Sequence, residues 1–159
     1  MIFLTVGHKE FDRLVKNMDE IVSEIDDEVI MQIGDKPAYF PKHAKFFRFV
    51  TRGEIDGYFQ NTKLIVAHCS TGAILIARKY FKPIIMVPRY HDRGEHIDDH
   101  QLELAKILEN NDSMRGVFVL YDISKLKSTI QLALHTVPKY EESISKVNLI
   151  NTIRDYIGQ

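Results

Sequence analysis

The sequence predicts an α/β fold in which a doubly wound open sheet of parallel strands carries helices on both faces. Two observations lead to this prediction. Short apolar runs alternate with longer segments whose apolar residues recur at helical spacing. The short runs are apolar on both faces, as parallel strands covered by helices must be. Alternating strands and helices in one chain of 159 residues rarely build anything else.

Each strand is predicted from a short run rich in β-branched or aromatic residues. The first run, "IFLTV", ends at Gly7, and the third, "FFRFV", follows the irregular insertion "GDKPAYFPKHAK" at 34–45. That insertion contains a glycine, two prolines and mixed charges, which favours a surface loop. The six predicted strands cover 2–6, 29–33, 46–50, 64–68, 83–87 and 116–120.

The helices are predicted from apolar residues that recur every three or four positions. In the first helix the apolar face consists of Phe11, Leu14, Val15, Met18, Ile21, Val22 and Ile25. The five helices predicted between the strands cover 11–25, 53–60, 72–80, 97–110 and 124–136. A further amphipathic helix is predicted near the end of the chain from the stripe of Ile144, Val147, Ile150, Ile153 and Ile157. We therefore expect one domain over 1–138, followed by a C-terminal amphipathic helix over 139–159.

Composition and charge restrict the classes of function. A chain that is 45% hydrophobic has enough apolar residues for one core, and its net charge of −1 gives no reason to expect a nucleic-acid partner. Cys69 is the single cysteine, so an internal disulfide is excluded. No apolar run approaches the roughly 20 residues that span a bilayer, and the amino terminus lacks the features of a signal peptide. We expect a cytoplasmic protein that meets a membrane through a partner or a surface.

The residues that follow the strands are the candidates for function, because ligands of such sheets bind outside the carboxyl ends of the strands. Gly7 and His8 follow the first strand, and Gly34 follows the second. The turn "HCSTGA" at 68–73 follows the fourth strand and opens a helix, where small residues let backbone N–H groups approach a phosphate. The simpler interpretation is that the serine or threonine of this turn only caps the helix.

The stretch "VPRYHDRGEHIDDHQLELAKIL" at 87–108 places three of the seven histidines within ten residues. It has three interpretations: a metal site, an acid–base site, or a loop that holds a polar ligand at a helix start. His96 and His100 are four residues apart and on a helix would share a face, which is a spacing found in metal sites. However, the HExxH order of zinc proteases is absent, and a third ligand would have to come from Asp98, Asp99 or another segment.

A polar-ligand loop explains more of this stretch than a helix cap does. A cap at Asp98 or Asp99 accounts for one carboxylate at the start of the apolar helix "LELAKIL". It leaves unexplained a group of hydrogen-bond donors and acceptors, namely Glu95, His96, His100 and Gln101. Side chains of this kind at the mouth of a sheet suit a ligand rich in hydroxyl groups.

The segment "VPRYHDRGEHIDDHQLELA" resembles the signature of the glycosyltransferase family 28 carboxyl-terminal domain in its small stand-alone form. The resemblance includes "IFLTVG", "FDRLV", "VIMQIG" and "LIVAHCSTGAI", so it extends over roughly residues 2 to 108. It implies a Rossmann-like domain that forms the nucleotide-sugar donor half of a two-domain GT-B enzyme. The other half would be a separate membrane-associated subunit that binds a lipid-linked acceptor, and the donor would be a UDP-sugar.

The resemblance also implies roles for individual residues. Phe49 and Val50 match the pocket for the uracil ring, Gly7 and His8 match the first glycine loop, and Gly34 follows the neighbouring strand. The turn that faces the donor diphosphate begins at His68 and contains Ser70, Thr71 and Gly72. The sugar-reading loop consists of Glu95, His96, Asp98, Asp99, His100 and Gln101. Arg89 would contact phosphate or lie in a solvated loop, since arginine is the usual bidentate phosphate partner.

The implied reaction is an inverting transfer of a hexose or N-acetylhexosamine, with no metal or cofactor. Such a transfer needs a base for the acceptor hydroxyl, and His8, His96 or the partner subunit would supply it. One departure from the family pattern favours an alternative, a non-catalytic binding subunit of the same fold. Ile76 occupies the position of a family glutamate that binds the ribose hydroxyls. The helix at 139–159 would dock the partner subunit or mediate self-association.

Overall fold

The computed structural model describes residues 1–109 and 114–140. Its strands are β1 (Ile2–Thr5), β2 (Val29–Gln32), β3 (Lys45–Phe47), β4 (Leu64–His68), β5 (Ile84–Val87), β6 (Met114–Arg115), β7 (Val117–Val119) and β8 (Lys139–Tyr140). Six of them form one parallel sheet in the order β3-β2-β1-β4-β5-β7, and β6 pairs with β8 in a small antiparallel ribbon. This strand order confirms the predicted doubly wound fold.

Five α-helices connect the strands: α1 (Asp12–Ile21), α2 (Arg52–Asn61), α3 (Thr71–Lys79), α4 (His100–Glu109) and α5 (Leu126–Leu134). The start of α2 is fixed by a capping box, because Thr51 accepts from the Glu54 N–H and the Glu54 carboxylate accepts from the Thr51 N–H. The connections that matter for function are those leaving the carboxyl ends of β1 to β5, since these parallel strands all end at the same edge of the sheet.

The sheet separates two apolar clusters, and β1, which is entirely buried, contributes to both. One cluster packs α1 and α5 against one face, through residues that include Leu14, Met18 and Ile130. The other packs α2, α3 and α4 against the opposite face, through residues that include Phe59 and Ala105. The helices therefore cover both sides of the central strands, as the apolar composition of those strands requires.

Three sequence predictions about the elements were wrong in detail. The third strand was expected to be buried, but β3 is the edge strand, and Lys45 and Phe46 are exposed. It ends at Phe47, so the predicted pocket residues follow the strand. Helix α4 begins at His100 and not at 97, because the preceding residues form the turn that caps it. The short ribbon of β6 and β8 was not predicted, since two-residue strands leave no periodic signal.

The insertion at 34–45 is irregular, as expected, but two carboxylates of α1 hold it in place. Asp12 accepts from the Ala38 and Tyr39 N–H groups. Asp19, which is buried, accepts from the Tyr39 hydroxyl and from the backbone N–H groups of Lys42 and His43 at 2.7–2.8 Å. Desolvation raises the pKa of Asp19, but these hydrogen bonds outweigh it and hold the pKa below its usual range. The loop thus has a defined conformation.

The predicted C-terminal helix lies almost wholly outside the described residues. Lys139 and Tyr140 belong to β8, and the Tyr140 hydroxyl donates to the Lys82 carbonyl at 2.6 Å. Residues 141–159, which carry the stripe of isoleucines, are not described.

Candidate functional site

The loop after β1 is held by side chains from two neighbouring strands. Gly7 has φ +72°, a conformation that favours glycine. The Gln32 side chain at the end of β2 accepts from the Gly7 N–H at 2.9 Å and donates to the Gly7 carbonyl at 2.6 Å. The same amide donates to the Arg48 carbonyl at 2.9 Å. Gln32 is 2% exposed, so a single buried amide sets the relative position of the loops after β1 and β3.

Arg89 secures the same loop from the side of β5. Its Nη2 donates to the carbonyls of Val6 at 2.8 Å and Lys9 at 2.6 Å, and its guanidinium lies over the Phe11 ring at 4.9 Å. Arg89 is 3% exposed, which corrects the expectation of a solvated loop. Through Nη2, Arg89 therefore positions the first loop.

The loops after β1 and β2 touch each other through Gly34. This glycine has φ +85°, and a Cβ built on it would lie 3.0 Å from the Glu10 backbone nitrogen. The Asp35 N–H donates to the His8 carbonyl at 2.9 Å. Gly34 therefore allows the close packing of two loops.

His68 lies beneath the first loop at the end of β4. A Cβ on Gly7 would lie 2.9 Å from the His68 Cε1 atom, so only glycine fits above this ring. Burial lowers the pKa of His68 to about 4, with a further contribution from the charge of Arg89. Among the described residues, the buried Nδ1 of His68 has no hydrogen-bond partner. His68 is therefore a neutral ring at neutral pH.

The start of α3 combines a cap with an open surface. Ser70 is the N-cap and accepts from the Ala73 N–H at 3.3 Å, so this serine does cap the helix. Thr71 and Gly72 are the first two helical residues, whose N–H groups lack intrahelical acceptors. A Cβ built on Gly72 would meet no atom within 4 Å. The start of α3 is therefore open to solvent at Gly72.

A salt bridge fixes the loop between β5 and α4. Arg13 of α1 holds the Glu95 carboxylate in two contacts, Nε–Oε1 at 2.6 Å and Nη2–Oε2 at 3.0 Å. Arg13 also donates to the Pro88 carbonyl at 2.9 Å and lies over the Tyr90 ring at 4.9 Å. Glu95 in turn accepts from the Tyr90 N–H at 2.9 Å. Glu95 was expected to read the sugar, and in the structure both of its carboxylate oxygens hold the loop in place.

The carboxylate of Asp98 organises the start of α4. It accepts from the His100 N–H at 3.1 Å and contacts the His96 Nδ1 at 2.9 Å. Desolvation raises the pKa of Asp98, but the His100 N–H and the His96 ring outweigh it and keep the pKa low. The side chain of Asp99 accepts from the His91 N–H at 3.4 Å, and its carbonyl accepts from the first turn of α4.

The proposed metal-ligand geometry is not present in the loop. His96 precedes α4 and His100 begins it, so the two rings do not share a helical face as predicted. Within 1–109 and 114–140, no group of three or more His, Cys, Asp or Glu side chains could hold a metal ion.

Gln101 is 7% exposed, and its Oε1 accepts from the Arg89 N–H at 3.1 Å. Its carbonyl oxygen is thus used to tie α4 to the end of β5.

His8 and Phe49 meet at the mouth of the site. Their rings stack with centroids 5.4 Å apart, and both residues are exposed, Phe49 by 47%. Phe49, the ring expected beside the uracil, is therefore already stacked on His8, a candidate proton acceptor. Val50 follows directly and is half-buried.

Two residues that position the site were missed by the sequence analysis. Gln32 is the only polar residue in the run "VIMQI", and this exception was a usable signal because an unpaired buried amide is costly. Arg13 lies in the segment "FDRLV", where it looks like a solvent-facing helix residue. Nothing in its local sequence reveals the distant Glu95.

The family of the chain follows from a comparison with family models. The glycosyltransferase family 28 C-terminal domain matches residues 1–155, nearly the whole chain. The chain belongs to this family. The match includes every loop described above, so the resemblance seen in the signature extends through the rest of the domain. No curated protein matches the chain by sequence.

Solved glycosyltransferase structures share the fold of this family member. The spinosyn forosaminyltransferase SpnP has a TM-score of 0.57 and 15% identity, and the match covers 99% of this chain and 39% of that enzyme. A glycotransferase of kitacinnamycin has a TM-score of 0.58 and 12% identity, and the match covers 98% of this chain and 39% of that enzyme. The solution structure of ALG13 has a TM-score of 0.56 and 16% identity, and the match covers 92% of this chain and 93% of ALG13. The chain thus spans about two fifths of the larger enzymes, has the fold of one half of a GT-B glycosyltransferase, and is similar in extent to ALG13.

Proposed function

We propose that the chain binds the UDP-sugar donor of an inverting glycosyltransferase and transfers a hexose or N-acetylhexosamine to a lipid-linked acceptor. Family membership supports a glycosyltransferase domain. The observation that supports donor binding is the convergence of three loops at one edge of the sheet. These are the Gly7 loop, the open start of α3 at Gly72, and the loop anchored by Glu95.

In this proposal each loop binds a different part of the donor. The diphosphate lies against the first N–H groups of α3, where the helix dipole favours negative charge. The uracil lies beside Phe49 and the backbone of Val50. The sugar lies over the loop that contains His96, Asp98 and His100, whose polar groups reach its hydroxyls.

The transfer itself is a single displacement. The acceptor hydroxyl oxygen attacks the anomeric carbon, the bond from that carbon to the diphosphate oxygen breaks, and UDP leaves with the negative charge. The structure favours His96 over His8 as the base, because Asp98 contacts its Nδ1 at 2.9 Å and leaves Nε2 to take the proton. The start of α3 stabilises the departing diphosphate.

The acceptor would be presented by a separate membrane-associated subunit, docked in part by 139–159. In the described part of the chain no helix is both long and apolar enough to cross a bilayer. The assembly would place this chain at the cytoplasmic face of a membrane. A co-purification test with the full chain and a chain ending at Tyr140 would show whether the last residues carry the docking.

A matched pair of glycine substitutions tests donor binding. Gly72 and Gly53 are each the second residue of a helix, and a Cβ on either meets no atom within 4 Å. Gly72→Val and Gly53→Val should therefore change stability alike. By calorimetric titration, Gly72→Val should lose UDP binding while Gly53→Val keeps it. Equal UDP affinity in the two variants would refute a diphosphate at the start of α3.

One observation favours the alternative of a binding subunit without turnover. Ile76 is half-buried and packs against the apolar cluster of α2, α3 and α4, where the family glutamate would hold the ribose. UDP binding that persists without sugar transfer, even with the partner subunit present, would establish this alternative.

A further inference from the structure

A basic and aromatic segment leads into the candidate site, and most of its residues are not used by that site. The segment 36–52, "KPAYFPKHAKFFRFVTR", contains five Lys or Arg residues, one His and no Asp or Glu. Since the whole chain has a net charge of −1, the remaining residues carry −6. Positive charge is therefore concentrated in the sequence segment that forms the edge strand β3 and the residues on either side of it.

Two phenylalanines project from this surface. Phe40 is 51% exposed and Phe46 is 41% exposed, and their ring centroids are 6.0 Å apart. Exposing two contacting rings is unfavourable in water unless another surface covers them. We call Phe40 and Phe46, with Lys36 and Lys42, the edge patch.

The charges of the edge patch are available to an external partner. Lys45 and Arg48 are paired with Glu28 and Asp35 at 2.7 and 2.8 Å. No ion pair involves Lys36 or Lys42 within the described residues. Both lysines are exposed.

The loop that carries Phe40 and Lys42 is already ordered. The buried carboxylate of Asp19 holds the N–H groups of Lys42 and His43, each at 2.8 Å, so little conformational entropy would be lost on binding. The edge patch is therefore preorganised for binding.

We propose that the edge patch binds directly to an anionic phospholipid bilayer. Lysines near a bilayer are attracted by its negative surface potential, and exposed phenylalanines enter the boundary between headgroups and acyl chains. A protein partner fits less well, because lysine is depleted in protein interfaces. A single-stranded nucleic acid also fits less well, because the two rings are tilted by 58° and offer no pair of parallel faces for stacking.

The position of the edge patch gives this contact a consequence for the site. Phe46 lies in β3, and Phe49, two residues after the end of this strand, stacks on His8. A bilayer bound at the edge patch would therefore lie next to the mouth of the candidate site. The inference does not depend on the proposed donor, since none of its residues is assigned to donor binding.

Co-sedimentation of the full chain with vesicles tests the inference. We expect binding to vesicles of phosphatidylcholine with phosphatidylserine, weaker binding to phosphatidylcholine alone, and a decrease with added salt. Lys36→Gln with Lys42→Gln should lower the partition coefficient on the order of tenfold. Phe40→Ala with Phe46→Ala should lower it by a similar factor.

The control changes one lysine and one exposed apolar residue far from β3. Lys125→Gln with Leu132→Ala, just before and on α5, should leave vesicle binding unchanged, because α5 packs over β4 and β5. Loss of binding in this control equal to that of the edge-patch variants would overturn the proposal. So would failure to bind phosphatidylserine vesicles, or binding of a single-stranded oligonucleotide that needs the same residues. UDP titration of each variant separates this result from that of the proposed function.

Discussion

The salt bridge between Arg13 and Glu95 should determine both the stability of the domain and its preference for a complete donor. The two side chains are 15% and 13% exposed, and they share two short contacts. Replacing Glu95 with Gln leaves the guanidinium desolvated with a weakened partner. Breaking a fully buried pair costs about 3–5 kcal/mol, so for this partly exposed pair we expect about 2–4 kcal/mol.

A double-mutant cycle measures the interaction directly. Glu95→Gln, Arg13→Gln and the double variant would be unfolded in urea, and we expect a coupling energy of about 1–3 kcal/mol. When Arg13→Lys replaces Arg13→Gln in the cycle, the lysine should keep little of the interaction with Glu95, because an ammonium cannot make the bidentate contact. Glu28→Gln is the control: it breaks the exposed Lys45 pair and should leave the unfolding midpoint unchanged.

The same variants test whether the salt bridge positions the sugar loop. Glu95→Gln should weaken binding of a UDP-sugar more than binding of UDP, since the loop lies where the sugar is proposed to bind. Calorimetric titration of folded variants at low temperature separates this effect from stability. If the losses of unfolding free energy in the two single variants add up to the loss in the double variant, this account of Glu95 is refuted. It is also refuted if Glu95→Gln weakens the binding of UDP and of the UDP-sugar equally.

Three further predictions concern single residues. Gln32→Leu should cost about 2–4 kcal/mol in urea unfolding and reduce UDP affinity. It removes the buried partner of the Gly7 carbonyl and leaves the Gly7 N–H only its longer contact with Thr5 Oγ1 at 3.3 Å; unchanged stability would contradict this. The neutral His68 should stabilise the fold above pH 6.5, and this stability, about 3 kcal/mol at most, should be lost as the pH falls from 6.5 towards about 4. Melting curves of the wild type and His68→Gln should therefore diverge in that pH window, and parallel curves would exclude the low pKa. Ile76→Glu should tighten UDP binding if the missing ribose contact limits affinity, whereas weaker binding with a lower melting temperature would show that Ile76 serves only the core.

The doubly wound parallel fold could be predicted from the sequence because this class follows from local patterns, and the same patterns predict where a site should lie. Buried parallel strands are continuous apolar runs, and polar residues after such runs must gather at one edge. Ser70 and Asp98 could be placed at helix starts for the same reason, since capping depends on neighbours in sequence.

The contacts that hold the loops could not be predicted, because they join residues far apart in the chain. Arg89 looked like a solvated or phosphate-binding arginine, yet it donates to the carbonyls of Val6 and Lys9, about 80 residues earlier in the chain. The exposure of Phe46 was missed because an apolar run does not reveal that its strand lies at an edge. Glu95 was assigned to the ligand since nothing near it in sequence indicates Arg13.

Amide chemical-shift mapping during UDP addition is the measurement that tests the central claim most directly. If the donor binds where the loops converge, the largest shifts should occur at Gly7, Val50 and Gly72, with further shifts at His100 when a UDP-sugar replaces UDP. Amides of α5, such as that of Leu132, should not move. Saturating UDP that leaves the amides of Gly7 and Gly72 unshifted, or that shifts α5 most, would contradict the account.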